Sequence, residues 1–416
     1  GTQNIAIGSF SLDANTTANN NTAVGYASLG ANTTGEYNVA VGSYALDANT
    51  TASANTAVGY NAGTANTTGH SLCSVGTYAL QSNTTGDQNT AFGRSALQNN
   101  TTADNNSAFG KDALKANTTG ARNTAVGYQA GYSNTTDINT TFVGYQAGYH
   151  NTDGSGGGFN TAIGAFAMLG QNTTNSTGYY STAVGYRALQ NYTSGRLNVA
   201  VGQDSLRNLT TGIYNTAVGY QAGNDLTTGY NNALFGFQAG DNITTGYYNT
   251  CIGSDAAEAL TTGYQNTLIG YYAAGRSNGG VSNTMIGYLA GQFVQGNDGT
   301  QGSYITLLGS HAGDSITTGH NLTCIGYDAE PSGATATHQI TLGNGSITSL
   351  RCADTSISSL SDRRDKTDII DLPVGLDFVN NLKPRQFKWQ TREGNETKDG
   401  TVRAGFIAQE LQEAQR

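Results

Sequence analysis

The chain has 416 residues, of which 57 are Gly, only 3 are Pro and 11% are charged, with a formal net charge of −9. Polar chains of this kind are commonly disordered, but disorder goes with high charge, abundant Pro and few aromatics, and 24 Tyr with 12 Phe argue for an ordered array. Residues 1–350 carry 8 Lys/Arg against 17 Asp/Glu, too few cations to grip nucleic acid or an anionic membrane, and no apolar run approaches the roughly 18 residues that span a bilayer.

From Gly8 to Gly343 the chain repeats one unit. A glycine closing an Asn-Thr-Ala-Val-Gly-like segment recurs twenty times, at Gly8, Gly25, Gly42 and onward to Gly343. The step is 17 residues except at Gly144–Gly164, Gly164–Gly185 and Gly287–Gly309, where it is 20, 21 and 22. The residue before this anchor is Val, Ile, Phe or Leu in every copy, and the residue three after it is Ala or Ser. Asn-Thr-Thr-Gly segments such as Asn32–Gly35 and Asn117–Gly120 lie between. The pattern predicts short β-branched strands separated by Gly- and Asn-bearing turns.

A unit this short offers one large apolar residue and two small ones, so it is stable only when stacked. An all-β solenoid of about twenty coils is therefore expected over 1–327, with a rise of about 4.8 Å per coil and a length of roughly 95 Å. The anchor glycine implies either a positive φ or a backbone pressed against another chain. The thin core favours several chains on one axis, three in particular.

Within the rod, ten anchors are followed directly by Tyr or Phe, among them Tyr26, Tyr60, Tyr128, Tyr220 and Tyr288. These rings suit either a ladder packing coil on coil or a row that stacks on sugars, with the ladder favoured. Asn32, Asn66, Asn83 and Asn117 stand in Asn-x-Thr sequons, yet their repetition at one position favours turn-forming ladders over glycan acceptors. Cys251 and Cys324 occupy the same repeat position and read as buried small hydrophobes. No spacing of Cys, His or Asp suits a metal, and no cofactor is expected.

After Tyr327 the rhythm decays. Residues 328–360 read as a β neck, with short strands over Gln339–Leu342 and Ser346–Cys352. Residues 351–416 then carry 11 cationic and 11 acidic residues, and the only Trp. Leu372–Lys383 predicts a helix, Arg385–Trp389 a strand and Ala408–Ala414 the start of another helix. The chain starts inside a repeat and stops inside this last helix, so a piece of a longer protein is expected.

Two resemblances follow from these motifs. Segments such as Asn4-Ile5-Ala6-Ile7-Gly8 and Asn123-Thr124-Ala125-Val126-Gly127 resemble the head repeats of trimeric autotransporter adhesins, which form left-handed trimeric β-rolls from a shorter unit. Ser361-Asp362-Arg363-Arg364-Asp365-Lys366-Thr367-Asp368-Ile369, then Gly375–Val379, Leu382-Lys383-Pro384, Phe387-Lys388-Trp389 and Ala404–Leu411, resemble the opening part of the chaperone of endosialidase, also classed as peptidase family S74.

That second resemblance implies an intramolecular chaperone over 361–416 that cuts the chain at Leu360–Ser361. Ser361 would be the nucleophile, Lys366 the base, and Asp365 an acidic neighbour orienting the pair. A serine hydroxyl needs such a base, and a lysine serves once burial or cations such as Arg363 and Arg364 lower its pKa. The function implied is a self-associating homotrimeric virion fibre, such as a tail fibre, that attaches to a glycan or protein receptor on the host surface. The alternative is a cell-surface trimeric adhesin or extracellular filament. A carbohydrate-cleaving tailspike is disfavoured, because no paired acids recur at a spacing suited to glycosidic chemistry.

Overall fold

The computed structural model describes residues 1–152, 157–171, 176–296, 301–351, 380–387, 402–407 and 410. The chain divides into two units, Gly1–Thr348 and Ser349–Arg416. The first is a parallel β-solenoid. Its twenty strands run from β1 (Ile5–Ile7) to β20 (Thr337–Leu342), most of them three residues long, and nineteen turns separate them. Each strand pairs in parallel with the next at one constant register, as in Ile5↔Thr22, Ala6↔Ala23 and Ile7↔Val24, and the ladder crosses the longer steps unbroken, as in Ala162↔Ala183. The last pairing joins Ile325 to Leu342, so the ladder continues into the segment read as a neck. Residues 346–351 form no strand.

Left-handed backbone closes each coil. In the coil beginning at Gly110, φ is 136° at Gly110, 58° at Asp112, 47° at Leu114 and 60° at Arg122. A non-glycine residue in this region is strained by about 1–2 kcal/mol. The same geometry aims its N–H at a neighbouring coil: Asp112 donates to the Arg94 carbonyl at 2.9 Å, Leu114 to Ala130 at 2.9 Å and Arg122 to Asp104 at 3.1 Å. Coil-to-coil hydrogen bonds thus offset the strain, and the turns hold only while coils are stacked.

The anchor glycines satisfy both physical demands at once. A Cβ on Gly127 would stand 2.4 Å from the Gly144 carbonyl oxygen, and one on Gly219 would stand 2.1 Å from that of Gly236. The surface pressed against the anchors from Gly8 to Gly326 is therefore the next coil of the same chain, not another chain.

The core corrects the expectation about which residues fill it. The large apolar residue before each anchor points outward and is buried in no coil: Val58 is 37% exposed and Phe92 54%. Inside are the small residue two before the anchor, the Ala or Ser three after it, and a residue four after it, as in Leu29, Leu46, Leu80, Leu97 and Leu114. That last column escaped the sequence reading because glycine replaces leucine in several coils. The replacement is compensated within the ladder. A Cβ on Gly131 would lie 2.7 Å from a Phe142 ring carbon, and one on Gly148 would lie 2.5 Å from the other side of that ring. Leu234 fills the space beside Gly223 and Gly240 in the same way.

Two asparagine columns satisfy buried backbone. Asn55 donates to the Gly69 carbonyl at 3.0 Å and accepts from Leu72 N at 2.8 Å. Seven residues after the anchor, Asn83 donates to Asn66 Oδ1 at 2.9 Å and to the Gly86 carbonyl at 3.0 Å. Asn32, Asn66, Asn83 and Asn117 are all fully buried, so the sequons are ladder elements rather than glycan acceptors. After Asn151 this second column turns apolar, through Tyr192 to Leu209, Leu226 and Ile243. Tyr192 joins the two regimes: its ring is buried, and its hydroxyl donates to Asn151 Oδ1 at 2.5 Å.

Phe142→Ala should open a cavity between Gly131 and Gly148 and destabilise the rod by about 3–5 kcal/mol. Adding Gly131→Leu to that variant recreates the common alanine-inside, leucine-after-anchor coil and should recover part of the loss. Urea unfolding of the single and double variants checks this, and an unimproved double variant would contradict the volume exchange.

Candidate functional site

The aromatic column is the first candidate, and the structure makes it a ladder that stays exposed. Where the aromatic alternates between the first and second positions after the anchor, rings meet edge to face: Tyr26–Tyr44 at 5.3 Å, Tyr44–Tyr60 at 6.2 Å and Tyr60–Tyr78 at 5.6 Å. Where neighbouring coils both carry it at the first position, the rings lie nearly parallel: Tyr128–Tyr145 at 5.3 Å, Tyr220–Phe237 at 5.2 Å and Tyr271–Tyr288 at 5.4 Å. Such pairs contribute about 0.5–1.5 kcal/mol each beyond area burial. The rings keep a solvent-facing side, with Tyr60 45% and Tyr288 50% exposed. A second stack, Tyr230–Tyr247–Tyr264, runs at 4.9 and 4.7 Å elsewhere on the coil.

The described cysteines are free thiols. Cys251 and Cys324 are buried in the strand column that alanine fills elsewhere, and burial pushes the Cys251 thiol up to about 12, removing its reactivity. Cys73 instead lies on the outward side of β5 (Cys73–Val75), partly exposed; Cys352 lies outside the described residues. Among the described residues no group of three His, Cys, Asp or Glu side chains is placed to hold a metal ion.

One acidic column perturbs its own chemistry. Asp241 has a buried Oδ1 with no hydrogen-bond partner. Desolvation, and then the charges of Asp225 and Glu258, push its carboxyl up to about 6.

In the second unit, β21 (Arg385–Phe387) and β22 (Arg403–Gly405) form an antiparallel pair, with Arg385 opposite Gly405 and Phe387 opposite Arg403. The first of these falls inside the strand expected over Arg385–Trp389; the second was not foreseen, since its three residues are too few to show a period. A Cβ on Gly405 would sit 3.3 Å from the Phe387 ring, so the glycine lets that ring close over the strand. Glu410 binds Arg385 through two 2.8 Å hydrogen bonds, a bidentate arrangement that ties the Ala404–Leu411 motif to the strand before it. Arg385 holds the Glu410 carboxyl below its ordinary range. Asn380 and Asn381 are helical, at the end of the helix expected over Leu372–Lys383. Leu360, Ser361, Asp365 and Lys366 lie outside the described residues, as does most of that helix; of the helix expected over Ala408–Ala414, Glu410 alone is described, and it is helical.

Comparison with known families places this unit. Residues 361–416 match the family described as the chaperone of endosialidase, peptidase S74. The chain therefore joins a long β-solenoid to a segment similar to the chaperone of endosialidase. A search among curated proteins finds no match to the chain.

The raised Asp241 pKa has a defined consequence for stability. A carboxyl whose folded pKa exceeds its ordinary 3.8 stabilises the fold fully below about 3.8, and that contribution is lost as pH rises through about 6. Asp241→Asn, which mimics the neutral form, should therefore raise the thermal midpoint at pH 7.5 and leave it nearly unchanged at pH 3.5. Equal shifts at both pH values would show that the carboxyl is not the cause.

Proposed function

We propose that this chain is a trimeric virion fibre, of the tail-fibre kind, that contacts the host surface and is assembled by its C-terminal chaperone. The observation that carries this reading is the match of residues 361–416 to the chaperone of endosialidase directly after a solenoid of uniform coils. Uniformity creates a registration problem. Copies laid side by side look nearly alike after every slip of 17 residues, and such degenerate pairings trap folding chains. A trimerising domain at one end sets the register, from which the coils zip along the rod. The solenoid alone would serve a cell-surface adhesin as well; the chaperone match favours the virion.

The exposed faces of the aromatic ladder support a host-receptor role, since Tyr and Phe rings stack on the apolar faces of sugars as well as on each other. A protein receptor would meet the same surface.

Self-cleavage completes the proposal. Lys366 takes the proton of the Ser361 hydroxyl, and Oγ attacks the Leu360 carbonyl carbon. The Leu360–Ser361 C–N bond breaks as the Ser361 amine takes up a proton, leaving Leu360 in ester linkage to Ser361 Oγ. Water hydrolyses the ester to a Leu360 carboxylate and a Ser361 hydroxyl. Asp365 orients the Lys366 ammonium. Release of the template makes unfolding effectively irreversible, which is kinetic stability.

Denaturing mass analysis of the full-length protein beside Ser361→Ala tests this. The expected result is two fragments meeting at Leu360–Ser361 in the parent and one intact chain in the variant. An uncut parent would remove the protease role and leave a retained assembly domain.

A further inference from the structure

We propose that a strip of tyrosines on the turn before the strand, running from Phe159 to Tyr264, binds an extended neutral glycan with β-1,4 linkages; this rests on the host-contact reading above and names its place and ligand class. The strip consists of the residues six and five before each anchor, at the other end of the strand from the ladder already described. In the nine coils from Gly8 to Gly144 these positions hold a single Tyr or Phe, Tyr37, among residues such as Asn19, Ser53, Asp87 and Asn105. In the seven coils from Gly164 to Gly270 they hold eight, beginning at Phe159 and ending at Tyr264. A contact needed to build every coil would recur along the rod, whereas this one is local.

The coil does not require these rings. Tyr180, Tyr214 and Tyr248 have φ of 55°, 58° and 55°, where Asn105 and Asn139 have 60° and 55° in other coils. Asparagine tolerates this left-handed region far better than a bulky side chain does. Tyr248 donates its N–H to Tyr230 at 3.1 Å and Asn105 donates to Asp87 at 3.1 Å, so the ring adds nothing to the coil's hydrogen bonding. These three tyrosines also come two coils apart, about 9.6 Å, beyond the roughly 4.5–7 Å of a ring pair. They are therefore not a ladder stacked on itself, and they stand 51%, 52% and 51% exposed. Backbone strain held where packing does not demand it marks a functional position.

Spacing and charge select the ligand. Six steps of about 4.8 Å make a strip about 29 Å long, which suits a linear polymer. One coil rises by about the length of one sugar in an extended chain. In a β-1,4-linked chain successive sugars are flipped, so the same ring face recurs at every second sugar, in step with Tyr180, Tyr214 and Tyr248. Beside them the Tyr230–Tyr247–Tyr264 stack sets its rings 4.9 and 4.7 Å apart, one per coil, and Tyr248 stands nearly at right angles to the first two. Asn231 and Gln265 fill the intervening coils with amides that bond hydroxyls. Arg196, 5.6 Å from the Tyr179 ring centroid, is the one charged residue of these two columns across the seven coils. A single-stranded nucleic acid would need a cationic groove, and a neutral chain does not.

The test measures binding of full-length protein to cellohexaose, chitohexaose and β-1,4-mannohexaose, with α-1,4-linked maltohexaose for comparison. The variants are Tyr214→Asn with Tyr248→Asn, which installs the residue other coils carry, and Tyr60→Thr on the first ladder, where Thr77 stands one coil later. A β-1,4 probe bound by the parent, weakened roughly tenfold or more in the double variant and unchanged by Tyr60→Thr, supports the proposal. In the parent, the bound probe should also protect Tyr214 and Tyr248 from acetylation, a readout independent of any variant's folding. A double variant that binds like the parent, or maltohexaose bound as tightly as the β-1,4 probes, overturns the strip and leaves host contact to the first ladder. No binding of any probe, as when a second copy covers the strip, overturns the glycan assignment and leaves host contact to a protein receptor.

Discussion

The close approach of one coil's backbone to the next at the anchor glycines is the constraint on which the solenoid depends. From Gly8 to Gly309, each anchor lies so near the following anchor's carbonyl group that no side chain fits between them. The approach locks the strand register, and every other column inherits its vertical alignment from it. The left-handed residues of the turns follow from the same contact, since their N–H groups reach partners only when the neighbouring coil stands in place. The fold is thereby cooperative along its axis: a single coil has strain without the hydrogen bonds that offset it.

Given that frame, side chains are exchanged between columns rather than conserved within them. Beside Gly131, Gly148, Gly223 and Gly240, a ring or leucine on the strand stands in for the leucine missing after the anchor. The amide ladder moves likewise. In the first half, side chain to side chain bonds run through Asn66 and Asn83. In the second they run through Asn215 and Asn232, at 3.0 Å, while the former column becomes apolar. Tyr192 can sit at the change because one end of it is apolar and the other is a hydrogen-bond donor. A buried amide facing leucine would instead be left unpaired at a cost of about 1–3 kcal/mol.

The uniformity that makes such a rod easy to extend also leaves it without an internal register mark for neighbouring copies. On the function proposed here, the segment that matches the chaperone of endosialidase, residues 361–416, is what supplies such a mark. Within that unit, the bidentate Arg385–Glu410 pair and the Phe387–Gly405 closure show how its separated motifs are drawn together: their residues are distant along the chain but adjacent across one short antiparallel pair.

The 17-residue period, the twenty anchors and the order of the S74-like motifs were legible in the sequence, because periodicity and local signatures survive without knowledge of packing. A β-solenoid follows from them directly, since no lone unit of this length can bury a core. The side of the strand that faces inward was not legible. Alternation assigns residues to two faces but does not label them, and the larger residue was taken for the core. Only the closed coil decides otherwise, because its interior has room for alanine from the strand once leucine enters from the turn. Asparagine in Asn-x-Thr reads as a surface acceptor in isolation. Its burial at Asn32 and Asn66 is decided by the coils above and below, which supply the carbonyls and amides that satisfy it.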